Sequence, residues 1–169
     1  MMRWSIGTLC LSGLLVWAGW QPTSVPDTLQ WTTLDGKRVR LSELRDAKSV
    51  VFITLSSRCP AVPRYAPRLN ALYETFHKQG VAFYGLYPEA DESVESVREH
   101  AERLGFKFPV VRQGAVAIAR SVGATHVPQA FVLNRAGEVV YAGAIDSVIK
   151  REVGQHQYLR DAIQATLAG

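Results

Sequence analysis

The sequence predicts an α/β domain built on a mixed central β-sheet flanked by helices. Three observations predict it. Short apolar runs rich in β-branched residues alternate with longer stretches whose apolar residues recur at helical spacing. Two pairs of strand-like runs close around turn residues, Asp35–Gly36 and Arg135–Ala136–Gly137, which is how β-hairpins are written. The resulting order, hairpin, βαβ, αβ, hairpin, helix, needs both parallel and antiparallel strand pairs in one sheet. A chain of 169 residues with 47% hydrophobic content suits one domain with its own core.

The N-terminus stands apart from that domain. Met1–Met2–Arg3 is a short basic start, and residues 6–20 are mostly apolar. The run falls short of the roughly 20 residues of a spanning helix, and Val16–Trp17–Ala18 offers a small-residue cleavage site. Residues 1–20 are therefore expected to be a secretory signal peptide, or else an uncleaved anchor that tethers the protein to a membrane. Residues 21–28, with two prolines and polar neighbours, read as a linker, and residues 29–169 as the domain.

Within the domain, residues 29–34 and 37–41 flank Asp35–Gly36 as a hairpin, and Ser42 is placed to cap one helical turn. Residues 50–55 form a buried strand. Pro63 suits a first helical turn. Tyr65, Leu69, Leu72, Tyr73 and Phe76 continue a helix that contains Pro67 and ends at Gly80. Residues 81–87 are a second core strand and 91–104 a helix with an acidic start. Residues 108–111 are extended, and 115–122 form a short helix closed by Gly123. Residues 129–134 and 138–143 pair as a hairpin, residues 144–154 are irregular, and Leu159, Ile163 and Leu167 mark a last helix.

The chemistry concentrates at Ser56–Ser57–Arg58–Cys59–Pro60. Here a core strand hands over to a helix N-terminus, where unpaired N–H groups and the helix dipole favour an anion. A thiolate is such an anion, so Cys59 is the candidate nucleophile. No carboxylate lies between Asp46 and Glu74, whereas Lys48, Arg58, Arg64 and Arg68 do. Cys10 falls in the N-terminal segment, so the domain holds one cysteine and cannot form an internal disulfide. One leftover cysteine in an exported protein points to a reactive thiol or an intermolecular pairing. The net charge of +4 is dispersed without a Lys/Arg block, so no nucleic-acid partner is expected. No Gly-rich phosphate loop, His-Glu-x-x-His or serine nucleophile elbow is present. No cofactor and no metal are expected.

Over residues 25–168 this order resembles the thioredoxin superfamily, in particular its redoxin branch of alkyl hydroperoxide reductase and thiol-specific antioxidant proteins. Cys59–Pro60 at the strand-to-helix junction carries the resemblance, with Pro67 eight residues on. Val127–Pro128 ahead of a strand and the strand–turn–strand ending around Asn134–Gly137 complete it. The resemblance implies a three-layer thioredoxin-like fold with an N-terminal hairpin extension. It also implies a cis Val127–Pro128 bond facing the cysteine. It assigns Cys59 as the reacting residue, with Ser56, Arg58 and Pro128 beside it, and Pro60, Val127 and His126 against the substrate.

The departures shape the expected chemistry. Valine, Val62, stands where a dithiol enzyme has its second cysteine, so a mixed disulfide at Cys59 has no internal thiol to release it. Phe52 replaces the peroxiredoxin proline, Ile53 the buried acid of thioredoxin, and no arginine lies near Pro128. The expected reaction is thiol–disulfide exchange or thiol-dependent peroxide reduction by an exported protein. Its partners would be a disulfide-bearing protein or a peroxide, with an external thiol or thioredoxin-like reductant regenerating Cys59. Two other readings stay open. One is a copper chaperone or sensor resembling the Sco proteins, through Cys59 and His126. The other is a thioredoxin-fold binding module without turnover. Among the remaining histidines, His77, His100 and His156 are expected on helix surfaces, and Trp31, Tyr65 and Tyr73 in the core.

Overall fold

A computed structural model describes residues 23–147 and 156–169. The expected signal peptide or anchor over residues 1–20 lies outside the described residues, as does most of the irregular stretch over 144–154. Strands β1 (Gln30–Thr33) and β2 (Arg38–Arg40) form the first hairpin. Then follow β3 (Ser49–Thr54), α1 (Val62–Phe76), β4 (Val81–Leu86), α2 (Val94–Leu104) and β5 (Val110–Gln113). The chain continues through α3 (Ala115–Ser121), β6 (Gln129–Leu133), β7 (Val139–Gly143) and α4 (Tyr158–Ala168). The strands make one sheet of order β2-β1-β5-β4-β3-β6-β7. Among the described residues no helix is long and apolar enough to cross a membrane.

Strand alternation splits the core in two. Val51, Ile53 and Leu55 point with Val81, Phe83, Ala130 and Val132 toward α1, α2 and α4. Val50 and Phe52 point with Tyr84, Leu86, Phe131 and Leu133 toward α3 and the first hairpin. Central strand β3 is buried at all six positions. This explains its continuous apolar run, since a strand covered on both faces has no polar side. It runs parallel to β4 and antiparallel to β6. The fold is the three-layer, mixed-sheet arrangement expected.

Several boundaries move for local reasons. The first helical turn covers Leu41–Leu44, two residues earlier than a Ser42 cap would give, because the Glu43 carboxylate accepts the Arg40 N–H at 3.1 Å. Helix α2 starts at Val94 instead of residue 91. Ser93 is extended, and its Oγ accepts the Ser96 N–H at 3.1 Å. The extended piece expected over 108–111 is strand β5 at 110–113, where Gln113 pairs with Thr32. The stretch read as a linker is docked from Thr23 on. Val25 is buried, its N–H donates to the Gly137 carbonyl, and the Val139 N–H donates to that of Thr23. His156 precedes α4 instead of lying on it. Trp31 is a core residue as expected, whereas Tyr65 and Tyr73 are half-buried at its margin.

His100 corrects the surface reading outright. It is 3% exposed, on the inward face of α2 beside Val97 and Ala101. Helical spacing from Val97 places it there, and only its polar type argued otherwise. Its Nδ1 lies 2.6 Å from the hydroxyl of fully buried Tyr87. Burial holds His100 below the usual imidazole range, with Arg103 adding to the effect and Glu92 opposing it. Burial also pushes the Tyr87 phenol well above the usual tyrosine range, with Glu92 acting the same way. At neutral pH the pair is therefore a hydrogen bond between an uncharged phenol and a neutral imidazole. Folding favours the uncharged ring, so the contribution is complete above the unfolded histidine pKa of about 6.5 and is lost as pH falls from there toward the depressed folded value. Melting temperature should fall more steeply with acid in the wild type than in His100→Gln across that window. Parallel profiles would show that His100 carries no such linkage.

Candidate active site

Strand β3 delivers the reacting segment beyond its C-terminal end, in the middle of the sheet. Cys59 is half-buried against the core under α1 and is not in a disulfide. Its N–H donates to the Ser56 carbonyl at 3.4 Å, and its carbonyl accepts the Val62 N–H at 3.2 Å. Helix α1 begins at Val62 with Ala61 as its N-cap and proline in its first turn. The thiol thus stands just ahead of the helix, not inside its first turn. Val62, in the place of a second cysteine, is fully buried.

The Val127–Pro128 bond is cis, and the Cys59 Sγ lies 3.6 Å from the Val127 carbonyl oxygen. Two segments far apart in sequence therefore meet at the sulfur, where the carbonyl of the cis Val127–Pro128 bond lies against it. Thr54, which the sequence did not single out, holds the second segment in place. Its fully buried hydroxyl donates to the His126 carbonyl at 2.9 Å and accepts the Gln129 N–H at 2.9 Å. The Gln129 side chain accepts the Thr125 N–H at 3.0 Å. Thr54→Val keeps the shape and strands these groups, so it should cost about 1–3 kcal/mol. A denaturant midpoint equal to that of the wild type would refute this role.

The other expected residues have definite partners. Ser56 is buried, and its Oγ accepts the Arg58 N–H at 3.1 Å, closing a turn. The His126 ring is exposed, with Nδ1 3.0 Å from the Thr125 hydroxyl. Among the described residues no three His, Cys, Asp or Glu side chains come together as metal ligands. Pro60 is exposed beside the thiol.

The local electrostatics differ from the linear reading. Arg58 does not stand without an acid. Its guanidinium lies 2.5 Å from Asp91 and 3.4 Å from Glu89, and it holds the Asp91 carboxyl below the usual carboxylate range. Next to it, Glu92 is 5% exposed, and its Oε1 accepts both the Ser57 N–H, at 2.9 Å, and the Ser57 hydroxyl. Its Oε2 is buried without a hydrogen-bond partner. These acids lie thirty or more residues downstream of Cys59, so a local count could not see them. The signal that could have found them is topological. Strands β3 and β4 are parallel neighbours, so the loops leaving their C-terminal ends face each other.

This arrangement sets a half-buried thiol against the Val127–Pro128 segment, beside an acidic loop. Comparison with known proteins identifies what the chain is similar to. The model of the AhpC/TSA family matches residues 23–142. The chain is 36% identical over 110 residues to the thiol-disulfide oxidoreductase ResA of Geobacillus kaustophilus, covering 64% of this chain and 60% of the relative. It is 29% identical over 109 residues to the ResA of Bacillus thuringiensis strain Al Hakam, covering 64% and 61%. The match thus spans about 61% of the length of such relatives. A hypothetical protein from Sinorhizobium meliloti superposes with a TM-score of 0.74 at 24% identity, covering 88% of this chain and 84% of that one. A putative thiol:disulfide interchange protein DsbE from Chlorobium tepidum superposes with a TM-score of 0.69 at 19% identity, covering 86% and 96%. At these identities the structural likeness establishes the fold alone.

Proposed function

Because the chain belongs to the AhpC/TSA family, we propose that it is a thiol–disulfide oxidoreductase in which Cys59 is the single reacting thiol. The observation that carries this reading is the half-buried Cys59 Sγ set 3.6 Å from the Val127 carbonyl, next to cis-Pro128. The Cys59 thiolate attacks one sulfur of a partner disulfide. A Cys59–partner disulfide forms, the partner's S–S bond breaks, and its other sulfur leaves as a thiolate. A second, external thiolate then attacks the mixed disulfide and regenerates Cys59, since Val62 supplies no internal thiol. The names of the ResA relatives support exchange, and so does the commitment of Arg58 to Asp91 and Glu89, which leaves it a poor polariser of a peroxide. The basic start and apolar run of residues 1–20 favour a site of action outside the cytosol, where disulfide-bearing partners persist.

Incubation with oxidised glutathione should add one glutathione at Cys59 of the wild type, located by peptide mass, and none at that position in Cys59→Ser. A second thiol should remove the adduct. Faster turnover of hydrogen peroxide than of disulfide, with the same external thiol, would reassign the protein as a peroxidase. Absence of any adduct would end the exchange reading.

A further inference from the structure

Arg112 lies on β5, and nothing in its sequence context singles it out. Its half-buried guanidinium reaches the loop between β4 and α2. There Nε donates to the Glu92 carbonyl at 2.6 Å and Nη2 donates to the Ala90 carbonyl at 2.9 Å. A planar guanidinium fork spans two such acceptors in one fixed orientation. The strand that carries it is anchored on both sides, to β4 through Leu86 and Val111 and to β1 through Thr32 and Gln113. Arg112 is thus a strut from the sheet to a loop outside it.

That loop grips the two residues immediately ahead of the thiol. Glu92 accepts the N–H and hydroxyl of Ser57, and Asp91 and Glu89 hold Arg58. The Arg112 charge also favours the ionised Asp91 that Arg58 needs. Beyond Tyr87, whose N–H donates to the Val111 carbonyl at 3.0 Å, the loop's remaining backbone support is local, such as the turn from Glu92 N–H to the Glu89 carbonyl at 3.2 Å.

We propose that Arg112 is a positioning residue for Cys59, acting through the backbone of residues 90–92 and their carboxylates on Ser57 and Arg58. Its effect on exchange rests on the reading of Cys59 given above, whereas its effect on the thiol itself does not. Small misplacements remote from a reacting atom are costly in rate. Arg112→Ala should therefore slow glutathione adduct formation roughly tenfold. Because both residues act through one loop, Arg112→Ala and Glu92→Ala should be non-additive, with the double variant no slower than the slower single one. General destabilisation would not produce that coupling. Arg112→Lys keeps the charge but not the fork, so it should stay clearly slower than wild type, and it carries the test if the alanine variant does not fold.

Alkylation of Cys59 by iodoacetamide across pH reads the thiol independently of any disulfide partner, and the profile should shift in Arg112→Ala or Arg112→Lys. Additive rate effects, or adduct formation within twofold of wild type for both variants, would overturn the proposal. A wild type that forms no adduct overturns the exchange reading. The Arg112 proposal is then decided by alkylation, upheld by a shifted profile and overturned by an unchanged one.

Discussion

Val62→Cys should convert the trapped mixed disulfide into a released product. In the exchange proposed above, the wild-type adduct at Cys59 should persist until an outside thiol arrives, because the residue three positions on is a valine. The Cys59 carbonyl accepts the Val62 N–H in a turn that leads into α1. In such a turn the Cα atoms of the first and fourth residues lie within about 7 Å, and a disulfide needs about 4.4–6.8 Å. A thiol at position 62 can therefore reach the Cys59 sulfur. It would attack the mixed disulfide, expel the partner as a thiolate and leave an internal disulfide between Cys59 and the introduced cysteine. The substitution removes little volume from a fully buried site, so its stability cost should stay near 1 kcal/mol. Intact mass after exposure to oxidised glutathione is the readout. The variant should lose two hydrogens and carry no glutathione, where the wild type carries one. A stable glutathione adduct on the variant would mean that the helix start holds position 62 away from the sulfur.

Glu92→Ala should have the next largest effect. This carboxylate is almost completely enclosed, and it is the acceptor for both polar groups of Ser57. Truncation leaves a part-buried N–H and hydroxyl to find other partners, at a cost of about 1–3 kcal/mol. It also releases the residue two positions before the thiol, so adduct formation should slow together with the loss of stability. Glu92→Gln separates the causes. An amide oxygen can still accept from Ser57, so the glutamine variant should regain most of the stability if hydrogen bonding dominates. Equal losses in the two variants would assign the effect to the negative charge, and wild-type behaviour in both would remove Glu92 from the site.

Other consequences of the fold are smaller and turn on single buried groups. The Tyr87–His100 pair ties α2 to the loop after β4, and the Thr54 hydroxyl ties β3 to the segment around Pro128. Each joins elements that the hydrophobic pattern alone would bring together only approximately.

The layering of the domain is written locally. The β-branched runs of β3 and β4, the helical spacing in α1 and α4, and the turns at Gly36 and Gly137 are short-range signals. Side-chain period and turn sterics suffice to read them. The same signals place Cys59 after the central strand and Pro128 ahead of β6, because each stands beside the element that carries it. What surrounds the thiol is set by packing in three dimensions. The Arg58 guanidinium was legible as a charge, but its partners Glu89 and Asp91 come from another strand's loop. The Tyr87 partner of His100, the Glu92 grip on Ser57 and the Thr54 clasp likewise depend on groups more than ten residues apart. Coulomb forces and hydrogen bonds act through space, and only the register of β3 against β4 and β6 converts sequence separation into distance.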